Sequence, residues 1–219
     1  MVSIRKNLLT KLEILSIVAG ILYSSWPLGH WLNLNVSKNS LASGLEAVGQ
    51  PYNWVFISGD ITSSLLIIII SLWLWRIFSI KQKFKTIKAV LSCSIVFGLS
   101  TIVDALLPLR CVQGIKTCPT FRTDNLLLAH GIFSILGSVF LFTSLFILWF
   151  NLRRNIILNT FLVGYIIFGA ISLLQAIQPG KNGNWSQDYY MTLCSLYIAL
   201  IPYLVYRVSS KPKDLKNNI

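Results

Sequence analysis

Three titratable side chains stand inside apolar stretches of this chain: Asp60, Asp104 and His130. A charge in hydrocarbon is costly unless it faces protein or water, so each is a candidate for binding or chemistry. Each has a serine four positions away: Ser64 after Asp60, Ser100 before Asp104, and Ser134 after His130. On a helix that spacing places both side chains of a pair on one face. Carboxylate, imidazole and hydroxyl are the components of a nucleophilic triad. They are equally the components of a pocket for a polar small molecule, a lipid headgroup or a proton. The expected ligand-binding residues are therefore Asp60, Asp104, His130 and Gln175. The candidate catalytic ones are Asp60, Asp104, His130, Ser64, Ser100 and Ser134.

Several chemistries are not expected. There is no nucleophile elbow to support a serine hydrolase, and no phosphate-cradling or dinucleotide glycine motif. The Ser100-x-x-x-Asp104 spacing with an intramembrane histidine resembles the ceramidase-like membrane hydrolases, in which serine, aspartate and several histidines surround zinc. That resemblance fails at the ligands, because the chain has only His30 and His130. A site of two histidines and a carboxylate would require both to converge with an aspartate. No metal or cofactor is expected. A structural alternative is a buried ion pair, with His130 protonated between Asp60 and Asp104 and serving only to hold the bundle together.

These residues must be positioned by membrane helices. The chain has 219 residues, 54% of them hydrophobic and only 12% charged, with a mean hydropathy of +0.67. An all-α fold of six spans is expected, at about 14–32, 54–75, 89–109, 126–150, 156–178 and 185–206. Each reaches the roughly 20 residues needed to cross the hydrocarbon core. Together they make one domain over 1–210, followed by a short polar tail over 211–219. Asp60, Asp104 and His130 then lie roughly 6–9 Å inside the same membrane boundary, at 1.5 Å per residue. Gln175 falls at similar depth, with His30, Asp124 and Asp188 nearer the boundary as candidate entrance residues.

The net charge of +12 is read as a signal of orientation rather than of nucleic-acid binding. Of the 19 basic residues, 14 fall on the side of the two termini and five on the other, so both termini are expected in the cytoplasm of a cell-membrane protein. Acidic residues run the other way: Glu46, Asp60, Asp104, Asp124 and Asp188 lie in or near the outer half. Cys111 and Cys118 bracket a short outer loop and are expected to form a disulfide; Cys93 and Cys194 are expected to be packing residues. The 33–53 connection is long enough to be either a functional segment or a plain tether. Small residues Ser134, Gly137 and Ser138 in the fourth span, and Gly164, Gly169 and Ala170 in the fifth, permit close helix approach.

Several strings together resemble a family of six-span, mainly prokaryotic membrane proteins catalogued as domain of unknown function 998. They are Gly49-Gln50-Pro51-Tyr52-Asn53-Trp54-Val55-Phe56 entering the second span, Asp104-Ala105-Leu106-Leu107-Pro108 leaving the third, the Cys111/Cys118 pair, and His130 opening the fourth. The resemblance covers nearly the whole chain and implies a compact six-helix bundle, but no activity. The leading expectation is recognition of a polar or lipid-headgroup ligand in an outward-facing intramembrane pocket. A lipid-directed membrane hydrolase and a non-catalytic scaffold or assembly protein are the alternatives. Membrane lipids are the expected surroundings, and the sequence does not determine the oligomeric state.

Overall fold

The computed structural model describes residues 2–39, 42–79, 84–107, 109–112, 124–152, 155–177 and 185–210. Among them there are helices and connections and no strand. In chain order the helices are α1 (Val2–Tyr23), α2 (Gly29–Leu32), α3 (Leu34–Asn39), α4 (Asn53–Phe78), α5 (Phe84–Leu106), α6 (Asn125–Asn151), α7 (Ile156–Ile177) and α8 (Trp185–Ser210). Single 3-10 turns stand at Trp26–Leu28 and Ala42–Glu46. The α1 stretch and helices α4 to α8 are long and apolar enough to cross a membrane, the all-α architecture the composition predicts. Cys118 and the 211–219 tail lie outside the described residues.

Helix ends follow local chemistry. The single helix expected over 14–32 stops at Tyr23, and a 3-10 turn carrying Pro27 follows before α2. Proline supplies no N–H to continue the ladder but is well suited to a helical first turn. The Asp124 carboxylate caps α6, accepting from the backbone N–H groups of Leu126 (2.9 Å) and Leu127 (3.3 Å). Asn155 does the same for α7 at Ile157 (3.0 Å) and Leu158 (3.4 Å). These side chains satisfy donors that a helix start leaves without partners.

The six long helices form a ring in chain order: α1 against α4, α4 against α5, α5 against α6, α6 against α7, α7 against α8, and α8 back against α1. The α6–α7 junction is the slightest of the six. Side chains such as Leu74, Leu91, Leu145, Leu158, Ile198 and Val205 fill the core. Large apolar side chains such as Ile21, Val163 and Leu174 point outward instead, which lipid accommodates and water would not.

Hydroxyls fasten α1 to its neighbours. Pro202 inside α8 cannot donate to the carbonyl of Ile198 one turn earlier. The Ser16 hydroxyl donates to that oxygen instead, at 2.6 Å, while Ser63 of α4 donates to Ala19 O at 2.7 Å. Such substitution of side-chain donors is how membrane helices tolerate proline. Gly20 is required by close approach: a Cβ there would stand 2.5 Å from the Ser195 backbone oxygen.

The connection between α1 and α4 is folded into a roof rather than left as a tether. Val36, Leu45 and Ala47 form a small apolar cluster with Phe56 of α4 and with Leu109 and Val112 beyond α5. Val48 N–H donates to Leu109 O at 2.8 Å, and Ala42 N–H donates to the Gln187 side-chain oxygen of α8 at 2.6 Å. Gly49 (φ 81°) and Tyr52 (φ 59°) turn the chain from the roof into α4. Glycine takes that left-handed conformation freely, while tyrosine does so at a cost of order 1 kcal/mol or more.

Candidate functional site

Beneath the roof lies a cavity of about 90 Å³. Tyr23 of α1, Trp26 and Glu46 of the connection, Asp60 of α4, Asp104 of α5, His130 and Ser134 of α6, and Gln187 and Tyr190 of α8 all line it. Asp60, Asp104 and His130, three residues expected on depth alone, therefore meet at one place. They do so as two pairs, not as one triad.

The first pair is Asp104 with His130. His130 Nδ1 stands 3.2 Å from the backbone oxygen of Asp104 and 3.1 Å from its Oδ1. Only the backbone contact has hydrogen-bond alignment. A carbonyl oxygen can only accept, so Nδ1 carries a proton. The Ser134 hydroxyl donates to Asp104 Oδ2 at 2.6 Å, leaving Oδ1 buried without a hydrogen-bond partner. The indole Nε1 of Trp26, another lining residue, is likewise buried and unpartnered. Orphaned polar atoms of this kind are rare in folded proteins and call for a ligand, a water or a function.

The second pair is Asp60 with Glu46, two acidic side chains that line the cavity together and interact electrostatically. Two buried carboxyl groups brought together favour a proton on one of them. Burial, then the charges of Asp60 and Asp104, push the Glu46 carboxyl well above its ordinary value. Asp60 is thus engaged by the roof and not by His130, so the expected alternative with His130 between two aspartates does not form.

The serines divide. Ser134 joins the cavity, but Ser64 and Ser100 do not line it. Ser64 is fully buried with an unpartnered hydroxyl, and Ser100 packs at the α5–α6 contact, where a Cβ on Gly137 would meet it at 3.5 Å. Gln175 accepts from the Ser186 hydroxyl at the α7–α8 contact and is not brought to the cavity either. His30 is exposed and edge-on to Trp26, with ring centroids 5.9 Å apart, so the two histidines do not converge. Asp124 is spent as the α6 cap. Cys111 is in a disulfide, while Cys93 and Cys194 are free and buried.

Two chemistries lack their geometry. Among the described residues, no group of three or more His, Cys, Asp or Glu side chains is placed to hold a metal ion. A serine triad needs imidazole between hydroxyl and carboxylate. Here Asp104 stands in the middle, taking the Ser134 proton directly and holding His130 on its other side.

A family model described as Protein of unknown function (DUF998) matches residues 16–209. The chain belongs to this family. No curated protein and no solved structure matches it. The DUF998 match runs from within α1 to the last turn of α8, so every residue of the cavity falls inside it.

Glu46, Gln187, Tyr190, Tyr23 and Trp26 are the site residues that sequence reasoning missed. Glu46 is the one acid in the 33–53 connection, which was a usable signal. Nothing in the spacing of Gln187 or of the aromatic residues marks them.

Proposed function

We propose that this integral membrane protein binds the protonated amine of a polar ligand or lipid headgroup in the cavity beneath its roof. On this reading the roofed end faces outward from the cell membrane and both termini are cytoplasmic, in keeping with the basic residues gathered on the side of the termini. One observation carries the reading: three carboxyl groups, Glu46, Asp60 and Asp104, line a single small cavity against one imidazole, with no lysine or arginine among the described residues that line it. With one proton between Glu46 and Asp60, two carboxylates remain and His130 offsets at most one. The uncompensated charge attracts a cation strongly in surroundings of reduced dielectric. A volume of about 90 Å³ has room for a few waters, or for one ammonium group in their place.

The test is titration of the detergent-purified full chain with ethanolamine at pH 7.5, followed by thermal denaturation, beside its uncharged counterpart ethylene glycol. Ethanolamine is expected to raise the melting temperature and the glycol to leave it unchanged. Asp104→Asn is expected to weaken the ethanolamine response by about tenfold or more in concentration, the equivalent of ~1.4 kcal/mol. Equal responses to amine and glycol, or an unaltered response in Asp104→Asn, would overturn the proposal.

A further inference from the structure

Beside the cavity, between α6 and α7, runs a second and larger hollow of about 390 Å³ that opens on the lipid-facing side of the bundle. Its walls are apolar, with Ile135 and Val139 on α6 and Ile166 and Leu173 on α7. The small residues of α7 serve both sides: Gly169, Ala170 and Ser172 line the hollow, while a Cβ on Gly164 would meet Leu193 of α8 at 2.7 Å and one on Gly169 would meet Tyr190 at 3.3 Å. The α7 helix is thus drawn against α8 and stands off from α6. From Ser134 to Phe142 the groove follows α6 over eight residue steps, or roughly 12 Å at 1.5 Å per residue. One leaflet of hydrocarbon is about 15 Å deep, half of the ~30 Å core.

The groove and the acidic cavity are contiguous. Ser134, Ser138, Gln187 and Tyr190 line both. Along their shared wall the Tyr190 hydroxyl donates to Tyr165 at 2.5 Å, and Tyr165 donates to the Ser138 backbone oxygen at 2.7 Å. A chamber lined by three carboxyl groups therefore adjoins an apolar channel of nearly leaflet depth, with a polar seam between them. That is the complement of an amphiphile: a cationic head for the chamber, and a hydrocarbon chain for the channel.

Resting on the ammonium-binding reading above, we propose that the ligand is a membrane lipid with an amine headgroup, entering sideways between α6 and α7. Its ammonium group lies against Asp104 and the Glu46–Asp60 pair, and one acyl chain lies in the α6–α7 groove.

The experiment uses the full chain in nanodiscs containing phosphatidylethanolamine with a photoreactive diazirine on one acyl chain, and phosphatidylglycerol with the same chain as the anionic comparison. Adducts are mapped by peptide mass spectrometry. The ethanolamine lipid is expected to label the 135–142 and 166–173 segments about tenfold more than the glycerol lipid, a preference of ~1.4 kcal/mol. Ala170→Trp, and independently Val139→Trp from the opposite wall, should fill the groove and remove that labelling. Asp104→Asn should remove the headgroup preference. Retention of the wild-type melting transition identifies which variants are folded.

Equal labelling by both lipids, unaffected by Asp104→Asn, would mean that the groove holds bulk lipid and would overturn the inference. Absence of groove labelling while free ethanolamine still binds would overturn it too, yet leave the cavity reading standing. Failure of both the lipid and ethanolamine removes the two together.

Discussion

Replacing Ser134 by alanine removes the hydroxyl that donates to Asp104 Oδ2 at 2.6 Å. Because Oδ1 already has no hydrogen-bond partner, the variant leaves a largely buried carboxylate with no aligned donor from the protein. A hydrogen bond to a charged group contributes ~1.5–3 kcal/mol, and 1 kcal/mol moves the melting temperature of a chain of this size by about 2–4 °C. The expected loss is thus about 3–12 °C, nearer the lower end if a water in the cavity takes the hydroxyl's place. Asp104→Asn keeps an amide oxygen that accepts from Ser134, so it should cost less stability while removing the charge that draws the ligand. The assay is thermal denaturation in detergent at pH 7.5 of wild type, both single variants and the double. The cycle should return a coupling of about 1 kcal/mol or more, since the two residues touch. Additive singles, or a Ser134→Ala melting point within about 1 °C of wild type, would refute the argument that this bond holds the carboxylate in place.

Four further outcomes are expected. Glu46 has a folded-state affinity for its proton above the ordinary value of 4.5, so above that pH the unfolded chain releases the proton first and stability falls as pH rises, by at most ~1.4 kcal/mol per unit. Melting curves between pH 4.5 and 8 should therefore slope less in Glu46→Gln than in wild type, and parallel curves would contradict this. Ser16→Ala should cost ~1–3 kcal/mol by orphaning the Ile198 carbonyl; in a Pro202→Ala background, where the helix supplies its own donor, that cost should vanish. Gly20→Ala should destabilise by ~1–3 kcal/mol, because its Cβ would press on the Ser195 backbone oxygen of α8. A green fluorescent protein fused after Ile219 should be fluorescent in intact cells if the tail is cytoplasmic, and a dark, protease-accessible fusion would reverse the proposed orientation.

Much of the fold was legible because hydrocarbon imposes a simple requirement. A backbone without water must bond to itself, so long uncharged runs can only be helices, and six of them stand in the chain. The depth of Asp60, Asp104 and His130 was legible for the same reason, since rise per residue converts position in a helix into depth. Ser64 shows where that arithmetic stops: it shares a face with Asp60, yet its hydroxyl is buried away from the cavity. Glu46 lies outside the spans, and its approach to Asp60 depends on the roof folding back over the bundle.

By itself, then, the sequence determined the class of the protein, the number of its long helices, and the layer in which its ionisable groups lie, because all three follow from local composition and from a fixed rise per residue. Only the tertiary structure decided which groups meet. The ring order of the helices turned His130 to Asp104, packing in the roof carried Glu46 to Asp60, and the close packing of α7 against α8 left the groove beside α6 open. Azimuth and loop return are set by contacts between segments far apart in the chain, and no spacing within one segment records them.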